Sequence, residues 1–475
     1  MVQRMLKVGL FGIGLDAYWP QFPGLEERLA SYVDEAAVKL GRTGCEIVNL
    51  GLIDTVDKSI EAGHRFREED VDVIFLYVTT YALSSTVLPA VRRANVPVII
   101  LNLQPAAAID YAAFNALGDR TRMTGEWLAF CSACPVPELA NVFSRAGIRF
   151  HQVTGVLAGD AHVDRELEEW TEAARVAHVM AHNRLGVMGR YYNGMLDIYS
   201  DLTLQSATFG THIDIIEIDE LEACRQDVSP DEAQTYLARI HEEFEVEEGC
   251  DPAELLRAAR TAAALRRLVD ARRLGALAYF YQSTPGHAHE DLIASVIVGC
   301  SMLTAEGVPV AGEYEIKNAQ AMKIMDAFGC GGSFTEYYAV DFNDDVVLMG
   351  HDGPGHVGIA EGRTKIRPLQ VYHGKVGSGV SVEMSVRHGP VTLLSVVESK
   401  TGLKFLCAEA ESVPGPILEI GNTNSRYRFA TGARRFVEAW NAEAPAHHCA
   451  VGVGHVASRI EKLGQLLGIE TVRIC

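Results

Sequence analysis

Five short runs, KVGLFGIG, CEIVNLGLI, VDVIFLYVT, VPVIILNLQ and RFHQVTGVL, alternate with helical stretches such as GLEERLASYVDEAAVKLG over the first third of the chain. Near-continuous Val, Ile and Leu bounded by turn residues means that both faces of each strand are covered, and strands of that kind, alternating with helices, build a doubly wound parallel sheet. A second block repeats the pattern, with RLGVMGRYY, HIDIIEID and ALAYFYQ as strands and PAELLRAARTAAALRRLVDARR as a charged helix. The texture then changes: VSVEMSVRHG, VTLLSVVES and KFLCAEAES alternate with period two between polar turns, as antiparallel strands do. One helix, ARRFVEAWNAEA, precedes HHCAVGVGHVASRIEKLGQLLG, a strand and a terminal helix. The predicted organisation is an N-terminal Rossmann-like α/β domain over 1–180, a central α/β domain over 181–325 and a mainly antiparallel β domain over 326–475.

At 475 residues the chain exceeds what one core serves, and about 150 residues per domain also leads to about three. Its 42 Lys and Arg against 62 Asp and Glu leave a net charge of -20, which repels phosphate backbones and anionic lipid. Nucleic acid and membrane are therefore not expected partners. The start, MVQRMLKVGLFGIGLDAYW, has too short an apolar run for a signal peptide, and ten scattered cysteines fit reduced thiols better than a disulfide framework. A cytoplasmic protein is expected.

Several motifs invite chemical readings. GIGLDA offers Gly12, Gly14 and Ala17 in the dinucleotide spacing, but YWPQFP follows, and its prolines oppose the immediate helix that a pyrophosphate site requires. The same loop, at the carboxyl end of a first parallel strand, is a favoured ligand position, where Tyr18, Trp19 and Gln21 could flank a small polar substrate. CSAC, with Cys131 and Cys134, lacks the second ligand pair of a structural zinc site and reads as inert thiols lining a cleft.

The stretch GGSFTEYYAVDFNDDVVLMGHDGPGH reads as a hairpin. With its turn centred near Asn343, Glu336 and His351 stand roughly opposite each other, close enough to share an ion. Glu313 follows a short apolar run just before an amphipathic helix pattern, IKNAQAMKIMDAFG, and His447 and His448 open another apolar strand. Carboxylates and imidazoles near strand ends form a mixed oxygen and nitrogen set suited to Mn²⁺, Co²⁺ or a related divalent ion.

At these residues, in GEYEIK, GGSFTEYY, LMGHDGP and APAHHCAV, the sequence resembles the L-arabinose isomerase family within the arabinose and fucose isomerase superfamily. The resemblance implies that Glu313, Glu336, His351 and His448 ligate one catalytic metal, typically Mn²⁺, with Co²⁺ or Mg²⁺ as substitutes, and that the two glutamates also act as acid and base. It further implies a homo-oligomer whose cleft is completed between subunits, and an aldose–ketose isomerisation through a cis-enediol. His447 would be a neighbour of the metal. The well-studied members carry Gln and His in the stretch that matches FCSACP, where this chain has Cys131 and Cys134. Thiols cannot make the hydrogen bonds of an amide or imidazole, so a sugar other than L-arabinose is expected. The competing readings are a catalytically silent sugar-binding protein and a metal-dependent lyase or epimerase on a related polyol or sugar acid.

Overall fold

The computed structural model describes residues 5–282, 286–287, 289–369 and 379–475. These divide into two compact units, Val2–His178 and Val179–Cys475.

In the first unit, β1 (Lys7–Ile13), β2 (Glu46–Ile53), β3 (Val73–Tyr77), β4 (Val98–Gln104) and β5 (Phe150–Val156) are the five runs read from the sequence. They form one parallel sheet in the order β2-β1-β3-β4-β5, a common doubly wound arrangement. Every residue of β3 is buried, as the unbroken VIFLY requires. The glycines of GLFGIG serve packing: a Cβ on Gly9 would sit 2.9 Å from Phe66, and one on Gly12 would run into Val33. After β1 the chain makes only a short 3-10 turn, Asp16–Tyr18, and the first helix opens at Leu25, beyond Pro20 and Pro23. The two prolines thus delay the helix, and no amide fan meets the end of β1 as a dinucleotide would need.

The second unit begins with a four-stranded parallel sheet. Its strands are β6 (Arg184–Gly189), β7 (His212–Ile216), β9 (Ala276–Phe280) and β10 (Val310–Ala311), in the order β10-β9-β6-β7, and a short β8 (Glu245–Val246) lies apart from it. The expected charged helix is Pro252–Arg272; the Asp251 carboxylate caps it at Ala253 N, and its Ala and Leu face is buried.

The antiparallel strands that follow are β11 (Gly331–Asp341), β12 (Val346–His351), β13 (Lys365–Pro368), β14 (Val380–Glu383), β15 (Gly389–Ser399), β16 (Gly402–Ser412), β17 (Thr423–Arg428) and β18 (His448–Val453), with a parallel β19 (Glu470–Arg473) at the end. The order β15-β18-β11-β12-β17-β16 closes on itself because β15 also pairs with β16, so six strands form a barrel. Closure removes the open edges of this sheet except where β19 is added to β16. Strands β8, β13 and β14 make a separate three-stranded sheet. The fold class expected from the sequence, parallel α/β sheets followed by a mainly antiparallel β region, is the one observed.

Two local expectations need correction. The helix after Glu313, Ile316–Ala327, is not amphipathic: every residue from Ile316 to Met325 is buried, Lys317, Asn318, Gln320 and Lys323 included. It is enclosed because it packs against β9 and β10 on one side and β11, β15 and β18 on the other. In the hairpin, Glu336 stands opposite Gly350, one residue short of His351, and a bulge between Tyr337 and Ala339 shifts the register. A chain terminus read as strand and helix also gains β19, too short and exposed to announce itself.

Candidate metal centre

The carboxyl end of β10 supplies Glu313. Here the backbone turns through two consecutive left-handed residues, Glu313 (φ 57°) and Tyr314 (φ 63°), a conformation that side-chain-bearing residues rarely adopt. The turn is held by Tyr314 N donating to Tyr279 O (3.0 Å) and Glu315 N to Gly312 O (3.0 Å). Strain of this kind persists only where the surroundings over-determine it, and it clusters at functional sites.

The barrel supplies the remaining groups. Glu336 on β11 has two cross-strand neighbours, Gly350 on β12 and His448 on β18. The glycine leaves its side open, and the histidine shares its face. His351 ends β12, and its Nδ1 lies 2.6 Å from the carbonyl oxygen of Asp352. An acceptor there fixes the proton on Nδ1 and leaves the Nε2 lone pair for another partner; Nε2 lies 3.9 Å from Glu313 Oε1. His448 is arranged alike: Nδ1 lies 3.1 Å from Glu315 Oε2, and Nε2 lies 3.4 Å from Glu313 Oε2. Phe334 packs edge-on against His351 and tilted against His448, which holds both rings in place.

Ligand atoms of Glu336, His351 and His448 all fall within 4.8 Å of one another, as do those of Glu313, His447 and His448. The four residues expected as a ligand set are therefore gathered at one place, with His448 common to both groups. His447 Nδ1 lies 2.6 Å from Asp197 Oδ2, and its Nε2 lies 3.8 Å from Glu313 Oε2.

Electrostatics follow from burial. Glu315 and His448 have fully enclosed side chains. Burial pushes the Glu315 carboxyl up to about 7, with Lys317 pulling it down. Burial, aided by the charge of His447, holds His448 well below the usual imidazole range, so it stays neutral at physiological pH. Burial also opposes charge on His447, but the hydrogen bond and charge of Asp197, with Glu313 and Glu336, prevail and raise it.

These residues fit a divalent ion. The Nε2 of His448 is buried and makes no hydrogen bond, and the donor set is two imidazole nitrogens and two carboxylates, the chemistry that Mn²⁺ and its neighbours accept. An Nδ1 anchored by Glu315 is the usual support of a metal-ligating histidine. Glu315 and Asp197 were not anticipated. The alternation E-Y-E in GEYEIK is the one hint of Glu315, whereas Asp197 lies so far along the chain that only folding reveals it. A cavity beside the centre is lined by Tyr192, Tyr279, Phe280 and Tyr281 together with Glu313 and His351.

The other expected site residues belong to the Val2–His178 unit. Trp19 donates from Nε1 to Asp54 Oδ2 (2.9 Å), and Gln21 donates to Ala17 O (2.5 Å). Tyr18 is raised by burial, with Tyr81, Cys131 and Cys134 close enough to contribute. Cys131 is buried and Cys134 exposed. Burial and the neighbouring Cys134 push the Cys131 thiol up to about 12, so it remains a thiol at neutral pH. No metal-ligand cluster occurs in this unit among the described residues.

Parallel α/β sheets joined to a closed six-stranded barrel, with carboxylates and imidazoles converging on it, define an isomerase-like sugar enzyme once the barrel is identified. Residues 331–470 match the family model of the L-arabinose isomerase C-terminal domain, a match that supports the L-arabinose isomerase family. No curated protein matches the sequence. Among solved structures, a solute-binding protein of an ABC transporter from Burkholderia multivorans is 12% identical over 69% of this chain and 93% of its own, with a TM-score of 0.17. A periplasmic solute-binding protein from Actinobacillus succinogenes with bound D-allose is 13% identical over 68% and 92%, with a TM-score of 0.16. A UDP-N-acetylglucosamine 2-epimerase from Rickettsia bellii is 11% identical over 68% and 87%, with a TM-score of 0.14. Scores this low establish no shared fold. No helix among the described residues is long and apolar enough to cross a membrane.

Proposed function

We propose that the protein is a metal-dependent aldose–ketose isomerase acting on a sugar other than L-arabinose. The observation that carries this reading is the convergence of Glu313, Glu336, His351 and His448, three of them on strands of the arabinose isomerase barrel. Mn²⁺, or Co²⁺ or Mg²⁺ in its place, would be held by these four residues and, when bound, would polarise the sugar carbonyl and acidify the adjacent C–H.

The chain's own residues then move the protons. Aldose–ketose exchange transfers one proton between C1 and C2 and another between their oxygens, through a cis-enediol. Glu313 and Glu336 approach the centre from the α/β sheet and from the barrel, so one can take the carbon-bound proton while the other serves the oxygens. His447, oriented by Asp197 and facing Glu313, is placed to donate a hydrogen bond to that carboxylate or to a sugar hydroxyl. Tyr192, Phe280 and Tyr281 supply an apolar wall beside Glu313 and His351 against which the sugar's carbon face would pack.

Resemblance to the family supports a homo-oligomer whose cleft is completed between subunits. Ten free cysteines support a reducing, cytoplasmic setting. Cys131 and Cys134, where the well-studied members carry amide and imidazole donors, favour a deoxy or otherwise less polar sugar. The deciding experiment is a panel of pentoses, hexoses and deoxysugars assayed with Mn²⁺ added back to metal-stripped protein. Isomerisation of one sugar, dependent on added metal, is expected. Metal-independent turnover would remove the mechanism, and highest kcat/KM on L-arabinose would remove the substrate reading.

A further inference from the structure

Within the Val179–Cys475 unit, the helix Ile316–Ala327 carries two buried lysines. Lys323 closes on its own surroundings, pairing with Asp326 (2.7 Å) and donating to Gly307 O (2.9 Å). Lys317 reaches away from the helix: its Nζ donates to the carbonyl oxygen of Asp197 (2.7 Å), 120 residues earlier in the chain, and stands 3.1 Å from Glu315 Oε1. We infer that, in the divalent-metal centre proposed above, Lys317 is a positioning residue that holds His448 through Glu315 and His447 through Asp197, a role that rests on that metal reading.

Stability alone gives no reason for a lysine here. Its side chain is buried and that of Glu315 is fully enclosed, and apolar residues of similar volume often match or exceed a buried ion pair in stability. A cation in the first turn of a helix also opposes the helix dipole. Among the described residues, Glu315 is the one carboxylate within ion-pair distance of the ammonium.

The geometry supplies the reason. Glu315 gives its two oxygens to different partners: Oε1 to Lys317, and Oε2 to His448 Nδ1 at 3.1 Å. With Oε1 held, the carboxylate keeps its place under the imidazole, and His448 Nε2 keeps its direction toward Glu313. Asp197 lies in the short turn Leu196–Ile198, and its exposed side chain accepts at Oδ2 from both the backbone N (3.0 Å) and Nδ1 (2.6 Å) of His447. The bond from Lys317 to the Asp197 carbonyl ties this turn to the buried helix. One ammonium thereby joins the supports of two neighbouring imidazoles, whose ring centroids lie 3.8 Å apart.

The test is calorimetric Mn²⁺ titration of the metal-stripped full chain, compared across the unaltered protein, Lys317→Met, Glu315→Gln and the double variant, with folding checked by denaturant unfolding. Lys317→Met should weaken Mn²⁺ binding about tenfold, the lower end of what the outer partners of metal ligands contribute. The double variant should bind no more weakly than Glu315→Gln alone, because the lysine acts through that carboxylate. Should the methionine variant not fold, Lys317→Gln, which keeps a buried donor, takes its place in the same cycle. The link to His447 is read in metal-stripped protein by diethyl pyrocarbonate modification, located by fragment-ion mass spectrometry. His447 should react faster in the Lys317 variant, while the exposed His212 on β7 keeps its rate. Unchanged Mn²⁺ affinity in the Lys317 variant, losses that add in full in the double variant as a general loosening of the fold would give, or an unchanged His447 rate would each overturn the role of Lys317 and leave the metal reading standing. An unaltered protein that binds no Mn²⁺ would overturn both.

Discussion

The two parallel sheets end in different chemistry. At the carboxyl end of β1 the polar groups are largely satisfied within the Val2–His178 unit: Trp19 donates to Asp54, Lys58 pairs with the same carboxylate at 2.8 Å, and Thr79 and Thr80 donate to backbone carbonyls. At the carboxyl end of β10 the chain instead places Glu313 on a strained turn facing imidazoles whose Nε2 atoms point at carboxylates. Both ends occupy the ligand position of an open α/β sheet. The first keeps its polar groups paired among themselves, whereas the second gathers carboxylates and imidazoles of the kind that suit a divalent cation.

The largest effect that would break this contrast is catalytic. Glu313→Gln and Glu336→Gln should each cut turnover by about 10² to 10⁴ with the fold intact, because the amide keeps the shape but cannot accept a proton. Near-normal rates with metal content verified would move that residue out of acid–base duty. Next in size is Glu315→Gln, which leaves His448 Nδ1 without its carboxylate and should weaken Mn²⁺ binding about 10- to 100-fold, read by metal titration of the chain. Unchanged affinity would reduce Glu315 to a packing role.

A smaller effect sharpens the other side. Trp19→Phe removes the indole donor to Asp54 and should cost about 1 kcal/mol in denaturant unfolding, leaving Mn²⁺ affinity unaltered. The smallest concerns pH. Burial lowers the pKa of His356, with Asp326 opposing. As pH falls through about 6.5 the unfolded chain takes up the proton first, so stability from this group is full above that value and declines below it. His356→Gln should flatten unfolding free energy against pH over that acid limb and leave the alkaline limb unchanged.

Much of the architecture was legible because burial on both faces writes itself as unbroken Val, Ile and Leu. All five strands of the first sheet stand where those runs stand, and two of the three period-two runs became barrel strands β15 and β16, whereas VSVEMSVRHG supplies β14 of the separate sheet, β15 is buried along both faces, and β17 went unread. The candidate ligands were legible through local motifs around Glu313, Glu336, His351 and His448. What could not be read had long-range causes. Ile316–Ala327 carries Lys317, Asn318, Gln320 and Lys323, residues that sequence reasoning assigns to a solvent face, yet it is enclosed by two sheets that are distant in the chain. Asp197 meets His447 across 250 residues, a separation no motif spans. The bulge after Tyr337 left no composition signal and moved the partner of Glu336 by one position.

That bulge sets where the gene can tolerate length changes. Glu336 reaches His448 and Gly350 through two backbone ladders, so a codon inserted between Ser333 and Glu336 would turn the carboxylate to the far face of the wall and empty the centre of it. A codon inserted in the tip between Asp341 and Val346 lies beyond both ladders' hold on Glu336 and would lengthen the loop alone. Insertions among natural or library variants of this barrel should therefore collect at the tip and be missing from the stem.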